Sequence, residues 1–143
     1  MNDNTIVIRV IPLSKLKIRI PLYSSVSAGF PSPADDYIEQ ELNLDELLIK
    51  NPEATFFVRV SGDSMIGAGM CTGDILIVDC SLEAQAGDVI IAILEGEFTV
   101  KRLIRQGRQY FLKPENPAYP LIELHETTEF RVWGVVTHVI HKP

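Results

Sequence analysis

Ser64, within Ser61-Gly62-Asp63-Ser64-Met65-Ile66, and Lys101, within Phe98-Thr99-Val100-Lys101-Arg102, are residue types that could act together as nucleophile and base. A serine hydroxyl is a weak nucleophile at neutral pH and needs a base beside it. A lysine can be that base only when its amine is uncharged, and a free lysine, with a pKa of about 10.4, is protonated at pH 7. Burial among apolar groups disfavours the charged form. A shift of about three units costs about 4 kcal/mol, which a small domain could bear only at a site with a purpose. The same segments have an ordinary reading, because Ser-Gly-Asp-Ser is common turn chemistry and a strand lysine is commonly a solvated edge charge.

The elements that must position these two side chains can be read from periodicity. Thr55 to Val60 reads as a strand that delivers the Ser64 turn. Asp74 to Asp79 encloses the unbroken apolar run Ile75-Leu76-Ile77-Val78, the pattern of a buried strand. Asp88 to Leu94 and Phe98 to Arg105 form a hairpin around a Glu95-Gly96 turn. Alternation along its second strand puts Lys101 on one face with Thr99 and Leu103, and Phe98, Val100 and Arg102 on the other. Arg108 to Lys113, Leu121 to Leu124 and Phe130 to His141 read as further strands, with a loop over Pro114 to Pro120 and Trp133 in the core.

Upstream, Thr5 to Ile11 reads as a short strand ended by Pro12, and Lys15 to Ile20 as an extended edge segment. The run Tyr23 to Pro33 consists of small and turn-forming residues and suits an exposed linker. Leu44, Leu47 and Leu48 have helical spacing, with Asn43 as N-cap and Pro52 beyond the end, so Leu42 to Asn51 is expected to contain one short helix.

With 143 residues, nearly half of them apolar, the chain can bury one sizeable core. The expected fold is mostly β, compact and partly barrel-like, with one short helix and an extended N-terminal arm. A net charge of −6 argues against binding nucleic acid by neutralising its phosphates. The charge is unevenly distributed. Arg9, Lys15, Lys17 and Arg19 face only Asp3 in the first thirty residues, whereas Asp35, Asp36, Glu39, Glu41, Asp45, Glu46 and Glu53 face only Lys50 in the next stretch. The basic arm and the acidic segment either attract each other weakly or are two independently solvated surfaces. No apolar run is long enough to span a membrane and the N-terminus does not read as a signal peptide, so a cytoplasmic location is expected. Cys71 and Cys80 lack Cys-x-x-Cys spacing and are not expected to form a bridge.

The turn Ser61-Gly62-Asp63-Ser64-Met65, the lysine 37 positions beyond Ser64, Gly73-Asp74-Ile75-Leu76-Ile77-Val78-Asp79 between them, and Ala28-Gly29 followed by Phe30-Pro31-Ser32-Pro33-Ala34-Asp35-Asp36-Tyr37 together form a specific pattern. From about Ile20 to His141 it resembles the self-cleaving LexA/UmuD family of serine peptidases. The resemblance implies that Ser64 is the nucleophile, Lys101 the base and Ala28-Gly29 the cleaved bond. Residues 1–28 would then be a removable arm and residues 29–143 a β-rich peptidase and polymerase-accessory domain. The backbone N–H groups of Ser64 and Asp63 are the expected oxyanion donors, with no role for the Asp63 side chain. The resemblance further implies a homodimer, stimulation by a RecA filament on single-stranded DNA, and service of the trimmed form to a UmuC-type error-prone polymerase in the SOS response. A 28-residue arm cannot hold a helix-turn-helix, so a DNA-binding repressor is not expected.

Other chemistries fit less well. GDSL-type hydrolases also begin with Gly-Asp-Ser, but their triad needs a histidine three residues after an aspartate. Ile122, Val135 and His138 stand three residues before His125, His138 and His141. His138 and His141, on a strand, would point to opposite faces, so no metal site is expected. No phosphate-cradling glycine loop occurs and no cofactor is expected. A non-catalytic β-rich subunit of a polymerase or a repressor-like regulator is the remaining alternative.

Overall fold

In a computed structural model of the chain, the structure describes residues 6–10, 18–23 and 38–143. The strands and helix in chain order are β1 Ile6–Val10, β2 Ile20–Tyr23, β3 Ile38–Leu42, α1 Leu44–Leu48, β4 Thr55–Arg59, β5 Ile75–Asp79, β6 Val89–Leu94, β7 Glu97–Gln106, β8 Gln109–Lys113, β9 Ile122–Leu124 and β10 Phe130–Ile140. The chain divides into two units, one spanning residues 1–12 and 51–143, the other residues 13–50.

The larger unit is a single antiparallel sheet in the order β1-β4-β5-β10-β6-β7-β8-β9. The sheet is mostly β as expected, and the described strands close no barrel. Strands β5 and β6 are buried along most of their length, which explains why Ile75-Leu76-Ile77-Val78 and Val89-Ile90-Ile91-Ala92 are apolar without alternation. Their neighbours sort into two clusters. Val58, Leu76, Val78, Val89, Ile91 and Val100 pack with Met65 and Met70 in one, and Ile90, Ala92, Leu103, Leu112 and Val135 form the other. Alternate residues of β6 and β7 therefore feed different clusters, as a period of two requires. Trp133 packs against the first cluster, with its ring centroid 5.2 Å from that of Phe56 and 5.7 Å from that of Phe98.

The hairpin β6–β7 turns on Glu95 and Gly96, with φ of 48° and 80°. Two left-handed residues in succession match the right-handed twist of the strands they join, and glycine adopts that conformation without steric penalty. The register that follows sets Ile90 opposite Lys101 and Ile91 opposite Val100.

In the smaller unit, β2 and β3 pair antiparallel, with Ile20 opposite Leu42. Strand β3 is absent from the sequence reading, because Ile38-Glu39-Gln40-Glu41-Leu42 has too few apolar residues to announce it without its partner. Strand β2 begins where the expected edge segment ends, and residues 15–17 of that segment lie outside the described residues. Helix α1 starts as read, with Asn43 Oδ1 accepting from the Glu46 N–H at 3.0 Å. It is shorter than expected because Ile49 is already extended, with φ −117° and ψ 103°. Arg19 lies 3.6 Å from Glu46, a pair linking the basic and acidic stretches. Both side chains are half exposed, so the pair contributes little. Among the described residues no helix is long and apolar enough to cross a membrane.

One buried carboxylate ties the turn after β4 to the end of the chain. Burial pushes the Asp74 carboxyl up, but hydrogen bonds from the Cys71 N–H (2.9 Å) and His141 Nδ1 (2.7 Å), with the charge on protonated His141, hold it below its ordinary 3.8. A lowered value means that the carboxylate stabilises the fold above the unfolded pKa and that this contribution disappears as pH falls through the folded one. Asp74→Asn should therefore lower the urea midpoint at pH 7, and the gap from the unsubstituted protein should narrow below pH 3.8. A gap that stays constant between pH 7 and pH 3 would contradict this.

Candidate active site

Ser64 lies on the turn that leaves β4. The Gly62 N–H donates to Thr72 Oγ1 at 3.1 Å, and the Thr72 hydroxyl donates to the Gly62 carbonyl at 2.9 Å. One residue beyond Ser64, Met65 is 2% exposed and sits in the first apolar cluster. The serine is therefore set between a pinned glycine and a core anchor. It is itself 1% exposed.

Lys101 reaches it from β7. Its residue is 5% exposed, and Nζ lies 3.2 Å from Ser64 Oγ, 2.7 Å from Thr99 Oγ1 and 3.0 Å from the Val100 carbonyl oxygen. The strand period accounts for one of these contacts, because Thr99 precedes Lys101 by two residues and shares its face. Rigid pairing with β6 from Glu97 to Arg102 and with β8 from Arg102 to Gln106 fixes the backbone that carries the amine. Ser64 and Lys101, 37 positions apart in sequence, are thus brought within hydrogen-bonding distance in a buried setting.

The loop after β8 closes on the same turn, which sequence reasoning did not anticipate. The Gly67 N–H donates to the Glu115 carbonyl at 2.7 Å, Asn116 Nδ2 donates to the Asp63 carbonyl at 2.9 Å, and the Tyr119 hydroxyl donates to Asp63 Oδ1. Glu115 Oε1 in turn lies 2.5 Å from Arg102 Nε. The Asp63 side chain, for which no role was read, is therefore a point of attachment. No local pattern signals these contacts, since 53 and 56 positions separate Asn116 and Tyr119 from Asp63.

Ala28 and Gly29, the expected cleavage site, lie outside the described residues. Cys71 and Cys80 are free thiols. His141 lies just beyond β10, and side-chain atoms of Cys71, Asp74 and His141 approach within 4.8 Å of one another. Both Asp74 oxygens there already accept protein hydrogen bonds.

The approach of the loop leaves no room at Gly67, where a Cβ would stand 2.5 Å from the Glu115 carbonyl oxygen. Gly67→Ala should therefore force the two segments apart and cost about 1–3 kcal/mol, read as a lower urea midpoint. An unchanged midpoint would mean that the contact is not held in solution.

Comparison with known proteins finds relatives over most of the chain. The Peptidase S24-like family matches residues 21–137. Protein SamA of Salmonella typhimurium is 49% identical over 123 residues, covering 85% of each chain. Protein MucA of Escherichia coli is 47% identical over 121 residues, covering 83% of this chain and 82% of its own. LexA repressor 2 of Pseudomonas putida is 36% identical over 132 residues, or 92% of this chain and 65% of that protein. The chain belongs to the Peptidase S24-like family, a peptidase family, and is a UmuD-like member of it, as the resemblance to LexA/UmuD proteins implied.

Proposed function

We propose that the protein is a self-cleaving serine peptidase that cuts its own Ala28-Gly29 bond with Ser64 as nucleophile and Lys101 as base. The observation that carries this reading is the buried 3.2 Å approach of Lys101 Nζ to Ser64 Oγ. Burial penalises an ammonium and so favours the neutral amine that a base must be. A neutral amine has two N–H donors and one lone pair. Its donors suit the Val100 carbonyl and Thr99 Oγ1, and its lone pair then faces the serine hydroxyl.

In the proposed reaction, Ser64 Oγ attacks the Ala28 carbonyl carbon while Lys101 takes the hydroxyl proton. The backbone N–H groups of Ser64 and Asp63 stabilise the oxyanion. Collapse breaks the bond to Gly29, whose nitrogen receives the proton from Lys101. Water, deprotonated by Lys101, then hydrolyses the acyl-serine and restores the hydroxyl. Residues 1–28 are released as an arm, leaving residues 29–143 as the working domain. Ala28 precedes Ser64 by only 36 positions, so the tether keeps the bond at high effective concentration near the nucleophile.

Kinship with UmuD-like proteins supports a place for this reaction in the SOS response. The protein acts there as a cytoplasmic homodimer whose cleavage a RecA filament on single-stranded DNA promotes by shifting the arm toward its competent position. The trimmed form then serves as accessory subunit of a UmuC-type translesion polymerase.

Incubation with activated RecA filaments, or at alkaline pH where Lys101 loses its proton more readily, should yield a fragment whose N-terminal residue is Gly29 by sequencing and intact mass. Ser64→Ala and Lys101→Ala should each slow its appearance by about a thousandfold or more. An intact chain under both conditions would overturn the peptidase reading and favour a purely binding role.

A further inference from the structure

The loop between β8 and β9 does more than cover the turn. Asn116 donates from Nδ2 to the Asp63 carbonyl at 2.9 Å, and its Oδ1 accepts from the Ala118 N–H at 3.0 Å. The amide is thus held at both ends, and the second contact fixes which end faces Asp63. The Tyr119 hydroxyl donates to Asp63 Oδ1, so one residue of the turn is gripped through both backbone and side chain. The loop has its own anchors, because Pro114 is buried and Glu115 is bound to Arg102, the neighbour of Lys101 on β7.

The Asp63 carbonyl and the Ser64 N–H belong to one planar peptide unit, and the chain has no cis peptide bond among the described residues. In a trans peptide the C=O and N–H point in opposite directions. Pinning the Asp63 oxygen therefore aims the Ser64 N–H, a donor assigned above to the oxyanion.

We propose that Asn116 and Tyr119 are positioning residues for self-cleavage: by holding Asp63 they orient the Ser64 N–H toward the developing oxyanion. This inference rests on the Ser64–Lys101 reading. Asn116 binds the peptide itself, at a carbonyl that also accepts from the Ile66 N–H at 3.3 Å, and Tyr119 acts through the Asp63 side chain. Acting through Asp63, they set how fast the poised site reacts and not the pH at which it becomes poised.

The test compares first-order self-cleavage of the full chain from pH 7 to pH 11 for the unsubstituted protein, Asn116→Ala, Asn116→Asp, Tyr119→Phe and Ser64→Ala, with melting temperatures measured alongside. Asn116→Ala should lower the rate plateau by about tenfold to a hundredfold, with the half-maximal pH and the melting temperature unchanged. Asn116→Asp keeps the size and the acceptor for Ala118 but loses the donor, so it should be slow like the alanine variant. Tyr119→Phe should lower the plateau by a few-fold. If both Asn116 variants cleave at the unsubstituted rate while Ser64→Ala stays intact, the positioning role is wrong and the dyad reading stands. A slow rate accompanied by a shifted half-maximal pH or a clear fall in melting temperature would also overturn it. If the unsubstituted protein gives no Gly29 fragment, the reading on which the proposal rests has failed.

Discussion

The larger unit keeps one amine and one hydroxyl together away from water. Lys101 Nζ and Ser64 Oγ are 3.2 Å apart, with their residues 5% and 1% exposed. A lysine in such a place is a poor investment for stability alone, since an apolar residue could fill the same space without any desolvation penalty. The surrounding construction keeps the pair in register. A tight hairpin with left-handed residues at its turn sets the phase of β7, paired strands on both sides stiffen it, and Met65 sinks the serine-bearing turn into the core.

The three segments that meet at the site come from distant parts of the sequence, and each is restrained by a different force. The turn is held by Thr72 hydrogen bonds and Met65 burial, the strand by its ladders, and the covering loop by Pro114 and the Glu115–Arg102 pair. Such preorganisation suits the proposed mechanism, in which fixed donors and a fixed base must act without rearranging. In the proposed mechanism the step left open to control is delivery of the arm, where the proposed stimulation by a RecA filament would act.

Much of this site could be read from the chain before any coordinates. The elements that carry Ser64 and Lys101 were legible because a turn motif, a buried strand and a Glu95-Gly96 hairpin each leave a local signature, and alternation put Thr99 on the lysine's face, but joining the two residues into one site rested on the resemblance to the LexA/UmuD family. The Lys101–Thr99 contact itself was not legible, because alternation gives a face and not a rotamer. Strand β3 escaped notice because Glu39, Gln40 and Glu41 give it no apolar run and its pairing partner is β2, on the far side of a long intervening segment. The Asn43 cap was legible from its side-chain chemistry, while the helix end was not, because Leu48, Ile49 and Lys50 are all acceptable helix residues. Asn116 and Tyr119 look like ordinary loop residues, and only the folded topology brings them to Asp63.

The central claim is that the Lys101 amine is uncharged while it faces Ser64 at a pH where the chain cleaves. Side-chain nitrogen NMR on lysine-labelled protein, with Ser64→Ala used to hold the chain intact and Lys101→Ala to assign the signal, reads that charge directly. The account predicts a neutral-amine resonance for Lys101 at that pH, with the other lysines still appearing as ammonium. An ammonium resonance for Lys101 under the same conditions would contradict it.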